Sequence, residues 1–353
     1  MKFAVLNDTH AGVRNDSIHF HEYMRKFFEE VFFPYCVEND IKHIVHLGDY
    51  FDKRTGINFL SLQRNKEHFI EPLIENGMTM DLILGNHDLY YKNTSEVNSC
   101  EALLKYDNIT IYADTITKDY DGCLITLVPW IHKTNIEDTL EHLELTTAQV
   151  AMGHLEIEGA MMMPGYYSSH GLGFQTFKRF DHVYSGHFHT GSTMQNITYL
   201  GSQMEFTWSD YGDPKGFHIF DTDTREMTKI KNPIRMFEKV FYDDTKLTQE
   251  EILAMNFDHL KDMYVKVIVV NKENPYWFDL FIERLNKAEV IDFKVVEDHG
   301  NLGDMSDEEM ASDAEDTLTI LTKHIEGMEI SGDKSKLENL VRSLYTEALD
   351  VAS

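Results

Sequence analysis

The sequence predicts an α/β protein, and three observations carry that prediction. Short apolar strands alternate with amphipathic helices from residue 1 to about 235. Five polar clusters each follow one of those strands: Asp8-Thr9-His10, Gly48-Asp49-Tyr50-Phe51-Asp52, Gly85-Asn86-His87-Asp88, Gly153-His154 and Gly186-His187-Phe188-His189. Ligand crevices of open α/β sheets lie outside the carboxyl ends of the strands, so the five clusters are expected to converge there.

Taken in order, Phe3–Leu6 is the first strand, and Ser17 to about Glu38 carries apolar residues at helical spacing. His43–Leu47 is the second strand, Phe59–Ile74 a second amphipathic helix, and Met80–Leu84 a third strand that stops at Gly85. These are two β-α-β units in succession. Glu101–Lys105 is read as a helix end, Ile109–Tyr112 and Cys123–Val128 as strands, Glu137–Leu143 as a polar helix and Gln149–Met152 as a strand. From Glu156 to Phe180 periodicity fails, and a long surface loop is expected. Its Met161–Met163 run is read as adaptable packing. His182–Ser185, Ile197–Gly201 and Gly216–Asp221 read as closing strands, the last two antiparallel because short turns separate neighbours.

A second unit is expected over 236–298. Val265–Val270 and Phe293–Val296 flank a helix from about Tyr276 to Ala288, which fits a small α+β module. Residues 297–316 then hold nine Asp/Glu and no Lys/Arg, so 299–316 is read as a solvated acidic linker. Two amphipathic helices over 317–353 complete the chain, the second with the apolar stripe Leu337, Leu340, Val341, Leu344 and Tyr345. Such a stripe beyond an acidic tether is expected to dock on a partner.

The chain has 353 residues, 42% of them hydrophobic, enough for a sizeable core and more than one domain. It has no apolar run of 18 residues, and its first residues enter a strand without a cleavable signal pattern. A soluble, cytoplasmic protein is therefore expected. Cys36, Cys100 and Cys123 are odd in number and set among apolar residues, as reduced buried thiols are. A net charge of −28 argues against simple electrostatic nucleic-acid binding, although divalent metals in an acidic cleft invert the local sign.

Each cluster alone is a weak signal, and a lone His154 reads more simply as a core histidine. Five in order, varying among Asp, Asn and His, point instead to a metal centre. Imidazole with carboxylate suits manganese, iron or zinc, whereas magnesium favours oxygen ligands alone. No cysteine takes part, which argues against structural zinc. Lys53, Arg54 and Lys92 lie just beyond the clusters as candidate phosphate contacts. Tyr90 and Tyr91 are expected to pack under their loop, with stacking on an unpaired end as the alternative. His132 and His170 are assigned no ligand role.

The ordered set D-x-H, G-D-x-x-D, G-N-H-D, G-H and G-H-x-H resembles the calcineurin-like metallophosphoesterase superfamily. Within it the chain resembles SbcD-type nuclease subunits, those of T-even phages included. The resemblance implies a metallophosphoesterase sheet sandwich flanked by helices, a capping module and a C-terminal helical hairpin. It assigns Asp8, His10 and His189 to one metal, and Asn86, His154 and His187 to the other. Asp49 then bridges the two, and His87 faces the scissile phosphate as a proton donor. Asp52 stands where some archaeal relatives have histidine and superfamily protein phosphatases have aspartate. It is expected to accept a hydrogen bond from His87, with an exposed turn carboxylate as the alternative.

The implied function is manganese-dependent DNA cleavage, 3′ to 5′ on duplex ends and endonucleolytic on single strands, in recombination, repair and replication. The implied partners are DNA, an SbcC-like coiled-coil ATPase and a second copy within a heterotetramer, with no membrane. A phosphoprotein phosphatase or small-molecule phosphodiesterase stays open as the alternative enzyme. A non-catalytic scaffold is disfavoured because every motif position is filled.

Overall fold

The computed structural model describes residues 1–297. The acidic linker and the helical hairpin, with Leu337, Leu340, Val341, Leu344 and Tyr345, lie outside the described residues. The strands, in chain order, are β1 (Lys2–Leu6), β2 (His43–His46), β3 (Thr79–Ile83), β4 (Ile109–Tyr112), β5 (Ile116–Tyr120), β6 (Cys123–Val128) and β7 (Val150–His154). A hairpin of β8 (Met161–Met163) and β9 (Tyr166–Tyr167) follows, then β10 (His182–Gly186), β11 (Ser192–Met194), β12 (Ile197–Tyr199), β13 (Gly216–Asp221) and β14 (Glu226–Lys231).

They form two six-stranded sheets, ordered β14-β13-β1-β2-β3-β4 and β11-β12-β10-β7-β6-β5. The run β1 to β4 is parallel, as is β12-β10-β7-β6, and antiparallel strands occupy the flanks. Alternate residues of both sheets meet in one core, with Phe3, Val5, Val45, Leu47 and Ile83 packed with Ile125, Leu127, Val150 and Met152. The helical segment from Ile18 to Glu38 covers the outer face of the first sheet, placing Phe27 and Phe32 against Phe217. This is the sandwich flanked by helices that the family resemblance implies.

Two expectations are corrected, and several strands are new. Ile197–Tyr199 does not pair with Gly216–Asp221: the first runs parallel to β10, and the second runs antiparallel to β1 in the other sheet. Residues 156–180 are not simply a surface loop, because they hold the β8–β9 hairpin and a helical turn at Phe174–Phe177. Ile157, Ala160, Phe177 and Phe180 are buried there, against the outer face of the second sheet. Finally, β5, β11 and β14 escape the sequence reading because they are short or polar edge strands with one solvated face.

The small module consists of β15 (Phe237–Asp243), β16 (Tyr264–Asn271) and β17 (Asp292–Glu297), all parallel, with helices Gln249–Ala254 and Pro275–Asn286. Its core includes Tyr242, Val265, Val267, Phe281 and Leu285. The buried Glu205 carboxylate accepts hydrogen bonds from the Met236 and Phe237 amides at 2.6 and 3.0 Å, fixing where β15 begins. Phe20, on the first long helix, packs on Phe237 and Tyr264.

At one edge the two sheets are tied by a buried ion pair. Asp81 on β3, 2% exposed, accepts from Lys118 Nζ at 2.6 Å and Tyr120 Oη at 2.6 Å, both on β5. His43 Nε2 lies 3.0 Å away. Burial opposes ionisation, but His43, Lys118 and Tyr120 outweigh it and bring the Asp81 carboxyl from 3.8 down to about 2. Removing one partner of a buried pair costs roughly 3–5 kcal/mol, reduced here to about 2–3 because Lys118 is a third exposed. Asp81→Asn is therefore expected to lower unfolding free energy by about 2–3 kcal/mol at pH 7 in urea titrations. A depressed carboxylate stabilises above its unfolded value and loses that contribution as pH falls through the folded value. The gap between wild type and variant is thus expected to be full above about pH 4 and to close towards pH 2. A gap constant from pH 7 to 2 is the contrary result.

Candidate metal centre

All five clusters lie at the carboxyl ends of parallel strands. Asp8 and His10 follow β1, Asp49 follows β2, and Asn86 and His87 follow β3. His154 ends β7, and His187 and His189 follow β10. The chain turns sharply at three of these exits, those of β1, β2 and β10: Asp8, His10, Asp49 and His187 have φ of 49°, 45°, 52° and 87°. Four non-glycine residues in the left-handed region within one site is strain of the kind that functional sites hold. Gly48 and Gly85 allow the β2 and β3 loops to interlock. A Cβ on Gly85 would stand 2.2 Å from the Asp49 amide nitrogen, and Gly48 has φ +86°.

Three overlapping groups of ligand atoms result, each with its atoms within 4.8 Å of one another: Asp8, His10 and His189; Asp49, His154 and His187; and His10, Asp49 and His87. Asp49 belongs to two of them. Its Oδ2 lies 3.3 Å from His154 Nε2 and 3.8 Å from His10 Nε2, while Oδ1 accepts from the His87 amide at 2.8 Å. Asn86 Oδ1 lies between His154 Nε2 at 2.9 Å and His187 Nδ1 at 3.0 Å. His10 Nε2 and His189 Nε2 face each other at 3.1 Å.

The donors fit divalent metals. His154 Nδ1 donates to the Leu47 carbonyl at 2.7 Å, which leaves the Nε2 lone pair for a ligand role. Burial, followed by neighbouring imidazoles, pushes His10 and His187 well below the ordinary histidine value, keeping them neutral as ligation requires. Burial alone would raise the Asp49 carboxyl, but His154, His87 and His10 hold it well below the usual range. Burial would lower His154, but Asp49 and Asp8 raise it to about 9. That second proton sits on Nε2, so a ligand role for His154 requires its release. Imidazole, amide oxygen and carboxylate together suit manganese, iron or zinc more than magnesium.

One expected contact is corrected. His87 Nδ1 lies 2.6 Å from the backbone carbonyl of Asp52, so the expected bond to the Asp52 carboxylate is made to the main chain instead. A carbonyl only accepts, so Nδ1 carries the proton and Nε2 is the acceptor in the neutral ring. The Asp52 carboxylate stands 3.5 Å from His10 Nδ1, behind a ligand. Burial raises the Asp52 carboxyl, with His87 and Lys53 opposing.

Lys53 is engaged by Asp16 at 2.9 Å, so its phosphate role would require breaking that pair. Arg54 is half-buried and Lys92 is exposed. Tyr90 and Tyr91 are exposed and do not pack under their loop.

Several supporting residues were not singled out in the sequence. Asp88 is fully buried and accepts from the amides of Gly85, Tyr50 and Phe51 at 2.8, 3.0 and 3.2 Å, so it clamps the β2 and β3 loops together. Burial, with Asp49 adding, raises its carboxyl to about 6. Its place in G-N-H-D was the available signal. Trp130 packs on His187 and Phe206 on both His10 and His189, with ring centroids 5.0, 5.6 and 5.5 Å apart. Buried Lys215 donates to the His189 carbonyl at 2.6 Å and pairs with Asp210 and Asp213; nothing in its sequence surroundings marks it.

The calcineurin-like phosphoesterase family profile matches residues 1–191. Exonuclease subunit 1 of Enterobacteria phage T4 is 31% identical over 355 residues, covering 99% of each chain. The SbcD component of the SbcCD nuclease of Staphylococcus saprophyticus is 21% identical over 246 residues, 67% of this chain and 57% of that protein. Its namesake from Staphylococcus epidermidis is 25% identical over 134 residues, 34% of this chain and 35% of that protein.

Proposed function

The chain belongs to the calcineurin-like phosphoesterase family and is a metal-dependent phosphodiesterase, and from that premise we propose that it is the nuclease component of a DNA-processing complex. The observation that carries this reading is the gathering of two ligand sets around Asp49, with His87 held alongside. Full-length similarity to a phage exonuclease subunit supports a nucleic acid as the polymer cleaved.

Asp8, His10 and His189 would hold one divalent ion and Asn86, His154 and His187 the other, with Asp49 shared. When bound, the two ions supply Lewis-acid charge beside a phosphodiester. The protein's own part is positioning and proton transfer. With Nδ1 donating to the Asp52 carbonyl, His87 delivers or accepts a proton at Nε2, towards the departing oxygen. The Asp52 carboxylate stands 3.5 Å behind His10, and the Asp88 clamp fixes Asp49 relative to His87.

The mixed donor set supports manganese as the working ion. We assign the apolar stripe at Leu337, Leu340, Val341, Leu344 and Tyr345 to docking on an SbcC-like ATPase, because SbcD-type relatives support that partner. One experiment tests these assignments together. Full-length protein is given labelled duplex DNA, single-stranded DNA and a chromogenic phosphomonoester with Mn²⁺ or Mg²⁺, and its co-purification with the ATPase is scored. DNA cleavage faster in Mn²⁺ is expected, along with loss of co-purification in the Leu340→Asp/Leu344→Asp variant. Hydrolysis of the phosphomonoester without DNA cleavage would make the protein a phosphatase. Equal rates in both ions would refute the manganese assignment, and retained co-purification would refute the docking assignment.

A further inference from the structure

Tyr90 and Tyr91 are 44% and 51% exposed, and their rings meet edge to face with centroids 4.8 Å apart. Among the described residues neither hydroxyl makes a hydrogen bond, and each ring's aromatic partner is the other. Their exposure does not follow from a loose loop. Leu89 is buried at 1% and bridges to Asn98, and the Tyr90 amide donates to the Val97 carbonyl at 3.0 Å. The Ser99 amide donates to the Asp88 carbonyl at 2.8 Å, and Asn98 Oδ1 caps the next helix through the Glu101 amide at 2.8 Å. Residues 89–98 therefore form a stapled loop rooted on Asp88, the clamp of the catalytic loops. Tyr90 follows His87 by three residues, so their Cα atoms are at most about 11 Å apart.

We propose that Tyr90 and Tyr91 form a stacking platform for an unpaired nucleobase next to the scissile phosphate. This rests on the nuclease reading above and adds the part of the substrate that the protein grips. An aromatic face binds any base, because every base has a π-face, and needs no sequence-specific hydrogen bond. Exposed Lys92 follows directly and offers charge to the neighbouring phosphate. The buried ring of His132 lies against the main chain of Asn93, with Asp114 also near it, and exposed Lys133 is its next residue in sequence. In a chain of net charge −28, two exposed aromatic faces followed directly by an exposed lysine suit a strand carrying bases and phosphates better than an apolar peptide.

The test uses full-length protein in Mn²⁺ with a single-stranded oligonucleotide, and the same strand made abasic at the two nucleotides flanking the cleaved phosphate. Tyr90→Ala/Tyr91→Ala is expected to lower kcat/KM on the base-bearing strand about ten-fold or more, chiefly through KM. On the abasic strand, wild type should fall to the variant's rate. Tyr90→Phe/Tyr91→Phe and Tyr90→Trp/Tyr91→Trp should keep wild-type values, since both retain aromatic faces. A 2-aminopurine placed beside the cleaved phosphate should be quenched on binding wild type and not the alanine variant. The platform is overturned if the alanine variant matches wild type on the base-bearing strand, or if it loses equally on both strands. Wild type that cleaves no nucleic acid overturns the nuclease reading itself, and the platform with it.

Discussion

Asp49→Asn is expected to abolish phosphodiester cleavage, with a fall of about a thousand-fold or more, and to weaken both metal sites together. The reason is its position. Oδ1 receives the His87 amide at 2.8 Å, and Oδ2 faces His154 Nε2 and His10 Nε2 at 3.3 and 3.8 Å. An amide of the same size keeps one weak acceptor but loses the charge, and its NH₂ then faces imidazole nitrogens meant for cations. Loss of several kcal/mol of charge stabilisation corresponds to that fall in rate. The fold is expected to survive, because Asp88 clamps the same loops through the Tyr50, Phe51 and Gly85 amides independently of Asp49. Metal titration by calorimetry, with circular dichroism as a control for folding, checks this. A variant that still binds one equivalent at wild-type affinity would contradict the shared-ligand assignment.

His87→Ala is expected to separate catalysis from metal binding. Losing a positioned proton donor costs roughly 10²–10⁴-fold, so cleavage should fall by that amount while two metal equivalents remain. The structure makes this a sharp question, because His87 lies within ligand range of His10 and Asp49. Its Nδ1 is committed to the Asp52 carbonyl at 2.6 Å, so Nε2 alone decides between the roles. Elemental analysis of the variant discriminates: loss of one equivalent makes His87 a ligand. Asp52→Asn, which keeps the carbonyl, should leave the His87 tautomer intact and cost less than His87→Ala. Equal losses would return the Asp52 carboxylate to the role of His87's partner.

The sequence by itself determined the alternation of strands and helices and the chemical kinds of residue at five strand ends. It did so because strand and helix periods are local, and because polar clusters after apolar strands have few packing explanations. The same locality explains what it left open. Whether Ile197–Tyr199 and Gly216–Asp221 share a sheet depends on partners far away in sequence, β10 for the first and β1 for the second. Edge strands such as Glu226–Lys231 bury too little to impose an apolar pattern. Within the site, residue type could not choose between two oxygens of Asp52. Only the tertiary turn of the β2 loop aims its carbonyl at His87 and its carboxylate at His10. Lys53 looked available until the fold brought Asp16 to within 2.9 Å, and Lys215 carried no local mark before burial set it beneath His189. Ligand identity is a property of single residues, whereas hydrogen-bond partnership and burial are set by which distant segments meet.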